Sequence, residues 1–420
     1  MRPYYTDLHI HSKFSRATSP QCNLNGLQHW AQIKGVTVCG SGDCTHPGWF
    51  AMLKETLVQD DTSELYHLNA KAAEQASREI PESCRSQVEF IITGEISSIY
   101  KRGGKVRKVH SVVILPSIEV AGILNKKLTQ IGNIISDGRP ILGLDPRDLL
   151  EIMLEIDPRC ALIPAHIWTP WFSVLGAKSG FDSLEECFGD LTKHIFAVET
   201  GLSSDAPMNH RIPFLQDTTL ISNSDLHSPS NLGRNATRFF GTPSYSNIIG
   251  AMKSRSPELF GGTVDLFPEE GKYHYDGHRS CGVSLSPEQS IEMDNLCPAC
   301  GKPLTIGVLH RVIELEKLHK RVPSTKQLDL PPFQYIIPLP ELLSHKIGNS
   351  PKSKRVQRAY NKIIEQNGPE LPLLLDAKEE QLDNLEDTGE MICQVRQGNV
   401  NKTPGFDGIY GSVKPVITTA

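Results

Sequence analysis

The strongest constraint in this chain is a rhythm. Between residue 1 and about residue 240, seven short apolar runs each carry a His, Asp or Glu at or just beyond one end. The runs are Tyr5–Ile10, Val36–Gly40, Phe90–Ser97, Val109–Leu115, Ala161–Pro164, Ala197–Glu199 and Leu220–Ser222. The segments between them, such as Met52–Val58, Glu64–Arg78 and Pro146–Glu155, are richer in Ala, Leu, Glu and Lys and are expected to be helical. Short strands alternating with helical stretches specify βα units and an α/β fold. Seven strands point to a closed or nearly closed barrel, whose strand ends converge on one mouth.

The residues at those ends are metal-ligand types. His9 and His11 stand at i and i+2, which on a strand aims both imidazoles the same way. Asp43 and His46 follow the second run, Glu95 lies in the third, and His110 opens the fourth. His166 follows the fifth, Glu199 ends the sixth, and Asp225 and His227 follow the seventh. Any one of these is more simply a loop cap or a satisfied core polar group. Their recurrence at successive strand ends is what a shared metal centre explains. Mixed imidazole and carboxylate donors suit zinc, manganese or iron. Two such ions roughly 3.5–4 Å apart are the standard apparatus for phosphoester hydrolysis.

The order H-x-H, D, E, H, H, D-x-H resembles the polymerase-and-histidinol-phosphatase (PHP) family of metal-dependent phosphoesterases over residues 1–240. The resemblance implies a PHP-type distorted (β/α)7 barrel. It implies that His9, His11, Glu95 and Asp225 hold one metal, and that Glu95 bridges to a second held with His110 and His166. His227 and the second-motif residues would serve a third, giving two to three divalent ions (Zn, Mn or Mg). Asp43, His46 and Glu199 are expected at the catalytic mouth. Where many members carry a carboxylate or His after H-x-H, this chain has Ser15-Arg16, and Arg16 is expected to offer a positive charge to a phosphate.

A second metal signal lies downstream. His278-x2-Cys281 is followed, after 15 residues, by Cys297-x2-Cys300. Four N/S donors in paired x2 spacing fit a closed, structural zinc site, with His274 an alternative fourth ligand. The other seven of the ten cysteines are scattered, so this is not a disulfide scaffold.

Composition excludes several classes. Hydrophobic residues are 39% and charged residues 22%, as in globular proteins, and no apolar run reaches the roughly 18 residues of a membrane span. No signal-peptide core is visible at the N-terminus, so a cytoplasmic, nucleoid-associated protein without a membrane is expected. The net charge of −5 argues against a uniformly basic nucleic-acid coat. Two runs are nevertheless strongly basic. Lys101, Arg102, Lys105, Arg107 and Lys108 crowd eight residues just before His110, and Lys346–Lys362 holds six cations, Lys352, Lys354, Arg355 and Arg358 among them, with no acid. A solvated face is the usual meaning of such a run; two of them beside a phosphoesterase motif favour a polyanion track. Trp49, Trp168 and Trp171 lie in motif loops, where each either stacks on a base or fills the core.

The whole pattern resembles the endonuclease Q family across nearly the full length. The carriers are Gly42-Asp43-Cys44-Thr45-His46-Pro47, Glu199-Thr200-Gly201-Leu202-Ser203-Ser204-Asp205, Cys281-Gly282-Val283-Ser284-Leu285-Ser286-Pro287, Cys297-Pro298-Ala299-Cys300-Gly301, Leu304-Thr305-Ile306-Gly307-Val308-Leu309-His310-Arg311-Val312 and Pro404-Gly405-Phe406-Asp407-Gly408. That family nicks DNA 5′ to deaminated bases (uracil, hypoxanthine, xanthine) and abasic sites. The expected layout is a metallophosphoesterase domain at 1–245, a zinc-binding module at 270–322 and a mixed, largely helical DNA-binding region at 323–420, with Pro323–Pro340 a linker or edge strand. DNA containing deaminated bases is the expected partner, a sliding clamp a further candidate, and a monomer the expected state. Two alternatives stay open: a small-molecule phosphatase, and a non-catalytic, helicase-associated DNA-binding protein.

Overall fold

A computed structural model describes residues 2–319 and 330–416. Part of Pro323–Pro340, and of the boundary placed at 322–323, lies outside the described residues. The seven expected strands are present as β1 (Pro3–Asp7), β2 (Val36–Gly40), β3 (Glu89–Arg102), β4 (Lys105–Leu115), β5 (Ala161–Pro164), β6 (Ala197–Glu199) and β7 (Thr219–Ile221), followed by β8 (Ala236–Phe240), β9 (Phe260–Leu266) and β10 (Phe333–Ile336).

One arc runs β8–β1–β2–β3–β4–β5, and β6 pairs with β7 as a separate ladder. A few hydrogen bonds, not a continuous ladder, link the two arcs at both gaps. Ile167 N–H donates to the Glu199 carbonyl at 3.1 Å. Ser222 N–H donates to Thr237 Oγ1 at 2.9 Å. One apolar cluster draws a residue from or beside each of the seven strands: Leu8, Val38, Ile91, Val112, Ile163, Ala197 and Ile221. That is the interior of a distorted ring. The helix Tyr245–Ser254 packs Ile248 and Met252 onto the same cluster. Its Tyr245 hydroxyl donates to the Arg159 carbonyl just before β5, at the end away from the metal residues.

The strands are not all parallel. β3 and β4 form one long antiparallel hairpin, closed by Gly103 and Gly104 at φ +59° and +74°, the left-handed geometry of a two-residue hairpin turn. The sequence reading left this basic stretch between two shorter strands, because its charged residues hide any alternation. The first strand also stops at Asp7, so His9 and His11 stand in the buried loop beyond it. Of the helix expected over Glu64–Arg78, only Ala70–Ser77 is helical; Tyr66–Leu68 pairs instead with Leu57–Gln59, burying Tyr66 and Leu68.

The main sheet continues past residue 245. β9 pairs with β8, and β10 adds to β9 in parallel as the edge strand. The Cys/His region is a small hairpin, Asp276–His278 with Val283–Leu285, followed by the short helix Pro287–Glu292. It is tied to the barrel by helix Val308–Leu318, whose Arg311 donates to the carbonyls of Leu175 and Phe181. Five helices between Leu339 and Arg396 form the C-terminal region. The polar helix expected at Ala377–Gln397 is two helices, broken at Glu386, whose φ is +52°. The region docks on the barrel through buried polar pairs: Lys34 Nζ to Glu370 at 2.5 Å, Tyr360 hydroxyl to Glu370 at 2.7 Å, and Tyr5 hydroxyl to Asp376 at 2.7 Å. Among the described residues, no helix is long and apolar enough to cross a membrane.

Candidate metal centre and nucleic-acid surfaces

The mouth is assembled by residues that hold their neighbours' imidazoles in one orientation. His9 Nδ1 faces both Glu199 carboxylate oxygens at 3.0 Å. Glu199 is itself fixed by the His166 N–H at 2.8 Å and the Asn223 side-chain amide at 2.8 Å. His11 Nδ1 faces Asp43 at 3.1 Å. Asp43 in turn accepts from Ser12 N–H and Oγ and from Ser15 Oγ, at 2.6–2.9 Å. Both Nδ1 atoms are thereby engaged, which leaves both Nε2 atoms directed inward. His9 Nε2 and His11 Nε2 come within 3.4 and 3.2 Å of Glu95 Oε2, and within 3.7 and 3.1 Å of Asp225 Oδ1. A carboxylate behind each ligating imidazole sets the tautomer and raises the basicity of the ligand.

The second half follows from hairpin register. Glu95 pairs with Val112 and Ser97 with His110, so Glu95 and His110 are diagonal neighbours on one face. Glu95 Oε1 lies 2.6 Å from His110 Nδ1 and 3.4 Å from His166 Nε2. Glu95 therefore faces two donor groups at once: His9, His11 and Asp225 through Oε2, and His110 and His166 through Oε1. His9 Nε2 and Glu95 Oε1 are buried polar atoms with no hydrogen-bond partner among the described residues. Orphaned, converging donors of this kind fit two divalent ions sharing a carboxylate.

Backbone strain marks the same place. Asp43, His166 and Asp225 adopt left-handed φ values of +44°, +29° and +47°. Phe172, whose ring packs against His110 at 4.7 Å, does so at +62°. Non-glycine residues held there cost roughly 1–3 kcal/mol each and cluster at functional sites. Gly138 is required for close approach, since a Cβ there would stand 2.2 Å from Asp43 Oδ2.

Electrostatically, the mouth without cations is dominated by its acids. Burial opposes charge on His9 and His11, yet the surrounding carboxylates outweigh it and raise both imidazoles well above their ordinary value. His110 behaves oppositely: burial pushes it down to about 4 despite Glu95. Burial opposes ionisation of Glu95, but His110, Arg139 and His9 hold its carboxyl well below the usual range.

Several expected site residues take other roles. Asp43 and Glu199 position the two H-x-H imidazoles rather than face the open mouth. His46 caps the helix Pro47–Thr56: its Nδ1 accepts from Trp49 N–H, and Nε2 donates to the Ile135 carbonyl at 2.9 Å. Both ring nitrogens of His46 are thus engaged in holding that helix and the Ile135 loop. His227 stacks beside His11 at 4.7 Å and joins neither donor group; its Nδ1 meets the Asp225 carbonyl. Arg16 is largely exposed, 3.5 Å from Asp137. Trp49 and Trp168 are buried, their indoles donating to the Ser41 and Gly42 carbonyls and to Asn209. Trp168 is thus core and unavailable to DNA, whereas Trp171 is exposed, edge-on to Tyr273.

Arg139 went unnoticed in sequence because a lone Arg in a loop has no pattern around it. Its Nη1 lies 3.0 Å from Glu95 Oε2, at the centre of the mouth. Of the basic hairpin, Arg102 is committed to Asp145 and the Cys187 carbonyl, and Arg107 to the Phe181 ring and the Gly180 carbonyl. Lys101 and Lys105 at the tip are exposed. On the helix Lys354–Asn367, Val356, Tyr360 and Ile364 face inward, and Lys354 and Arg355 are exposed. His278, Cys281, Cys297 and Cys300 bring their ligand atoms together as a second metal group, with His278 Nδ1 3.5 Å from Cys300 Sγ. His274 is not among them.

With this geometry in place, comparison with known proteins is informative. Residues 338–399 match the family described as the MJ0043 C-terminal domain. The chain is 32% identical over 257 residues to the uncharacterized protein MJ0043 of Methanocaldococcus jannaschii, and spans only 31% of that longer protein. It is 26% identical to the uncharacterized protein YqxK of Bacillus subtilis, covering 99% of this chain and all of that one. The crystal structure of the lesion-specific endonuclease PfuEndoQ from Pyrococcus furiosus superposes with a TM-score of 0.83 at 28% identity, over 99% of this chain and 96% of that one. A structure of endonuclease Q with a 27-mer duplex carrying an abasic lesion at the active site gives a TM-score of 0.82, also at 28% identity, over 99% and 97% of the two chains.

Proposed function

We propose that this chain, a hydrolase with the endonuclease Q fold from end to end, nicks DNA on the 5′ side of deaminated bases (uracil, hypoxanthine, xanthine) and abasic sites with the help of two divalent ions. One observation carries the reading: two donor groups share Glu95, inside a fold matched over its full length by a lesion-specific endonuclease.

The residues divide the work. His9, His11, Glu95 and Asp225 would hold one ion, and Glu95, His110 and His166 the other. When bound, such a pair supplies Lewis acidity to a phosphoryl oxygen and acidifies water toward neutrality. Glu199 and Asp43 keep His9 and His11 in the binding tautomer. Arg139, ion-paired with the shared carboxylate of Glu95, is placed to pair with a phosphate oxygen once metal ions compete for Glu95. The hairpin tip with Lys101 and Lys105, and the outer face of Lys354–Asn367 with Arg355 and Arg358, supply charge for the backbone of the duplex. The Cys/His module, closed by one zinc, stiffens the wall between barrel and C-terminal region. Extruding the lesion nucleotide costs a few kcal/mol, least for mispaired or missing bases.

The test is nicking of uracil-containing duplex, unmodified duplex and p-nitrophenyl phosphate with manganese or magnesium. Cleavage of the first alone is expected. Cleavage of the small ester alone would establish a small-molecule phosphatase, and binding without cleavage a non-catalytic protein.

A further inference from the structure

Asp225 sits in a backbone conformation that few residues other than glycine adopt, with φ at +47°. The bonds that hold it there come from two residues outside both donor groups. Asp7 ends β1 and is fully buried, and both its carboxylate oxygens are spent on backbone N–H groups. Oδ1 accepts from Ser224 N–H at 3.0 Å, and Oδ2 accepts from Gly233 N–H at 2.9 Å. Arg234, the next residue in the chain, turns back to the same place. Its Nε and Nη2 donate to the Ser224 carbonyl at 3.0 and 2.9 Å. That carbonyl belongs to the planar peptide unit whose nitrogen is the Asp225 amide. Ser224 is therefore gripped by its N–H and its C=O at once, and Gly233 closes the ring of bonds back to Asp7. Two N–H groups of one rigid fork converge on a single oxygen, which fixes the direction of that carbonyl more tightly than one donor would. On the far side of Asp225, the Leu226 carbonyl accepts from His11 N–H at 3.2 Å.

We propose that Asp7 and Arg234 are positioning residues for the metal centre: together they clamp the Ser224 peptide and keep Asp225 turned toward the ion it shares with His9 and His11. This rests on the reading above that Asp225 holds an ion. Neither residue is itself a ligand. Asp7 joins neither donor group and has both oxygens engaged, and a guanidinium offers no acceptor. For Arg234, charge and geometry predict opposite signs. A guanidinium beside the mouth repels a divalent ion, so charge alone predicts tighter ion binding when it is removed. Loss of the clamp predicts weaker binding, because Asp225 is then free to leave a conformation that costs free energy to hold.

The test is manganese titration of the metal-free protein, with thermal unfolding followed in parallel, for wild type, Arg234→Gln, Arg234→Lys, Asp7→Asn and Asp225→Asn. Arg234→Gln is expected to weaken manganese by about 10–100-fold at the position that Asp225→Asn also weakens, the scale for a residue that orients a metal ligand. The position held by His110 and His166 should change far less. Arg234→Lys keeps the charge and loses the fork, and is expected to fall between wild type and Arg234→Gln. Asp7→Asn keeps one acceptor of two and is expected to weaken the same position. Placed on top of Asp225→Asn, Arg234→Gln should add little, because the clamp acts through that carboxylate. Unchanged or tighter manganese in Arg234→Gln, equal loss at both positions, or a full additive loss in the double variant overturns the proposal. Wild type that takes up manganese at both positions and nicks no lesion-bearing duplex overturns the endonuclease reading and leaves the clamp in place.

Discussion

The barrel mouth and the Cys/His module are both candidate metal sites, built on opposite principles. In the mouth, His9, His11 and Glu95 are buried and their orientation is set by Glu199, Asp43 and a shell of serines. A strand with an apolar interior carries Glu95 and a buried loop carries the two imidazoles, so the geometry exists before any ion arrives. In the module, Cys281 and Cys300 are exposed, and the surrounding hairpin has three residues per strand. There the ion is itself the core, as expected of a small unit whose folding is coupled to metal. The lesson is that the same donor types serve chemistry when the protein pre-organises them and serve folding when it does not.

The largest effect expected of any single change tests the first half of that contrast. Asp225→Asn removes an ion-holding carboxylate from a mouth that folds without it. Nicking should fall by roughly 10²–10³-fold or more, the loss seen when one electrostatic stabiliser of a transition state is removed. Duplex binding and the thermal transition should hardly move; full activity would remove Asp225 from the machinery. Cys297→Ser tests the other half. It should cost the module its zinc, open it to limited proteolysis and weaken DNA binding, while the barrel keeps its cooperative unfolding. Unchanged zinc content would refute the ligand set. Between the two stands Glu199→Gln, which leaves every direct ligand in place and loosens the support behind His9 and the His166 backbone. Metal affinity or activity should drop by about 10–100-fold. A negligible effect would mean that the mouth is no better organised than the module.

The same contrast explains what was readable in sequence. β2, β5 and β6 match their expected bounds because each is a short, mostly apolar run. Both donor groups around Glu95 were visible, since ligand types recur at strand ends. The Cys/His spacing is local and needs no fold at all. Roles that depend on a third residue were not visible. His46 reads as a site residue until the helix it caps exists, and Trp168 reads equally as a base-stacking or a core ring until Asn209 is folded against it. Arg139 is a single residue in an irregular segment, and only tertiary packing brings it to the mouth. The β3–β4 hairpin was masked because five cations in eight residues carry no apolar period.

The last expectation separates the two halves of the mouth by their protons. Ions bind only the unprotonated imidazoles, and His9 and His11 are raised above the ordinary value of about 6.5, so protons compete at both. Affinity at that position should rise with pH by about tenfold per unit for each proton displaced, and flatten once pH passes the raised values. At the second position His166 is raised as well, its neighbouring Glu95 outweighing burial, but His110 is already neutral above about 4. One proton competes there instead of two, so the slope should be about half as steep. Manganese titrations of the metal-free protein at pH 6, 7 and 8 would show two classes of site, with the steeper pH dependence at the one held by His9 and His11. Equal slopes would mean that the acids around His9 and His11 do not hold protons in the absence of cations, and that the mouth is less tightly organised than its hydrogen bonds indicate.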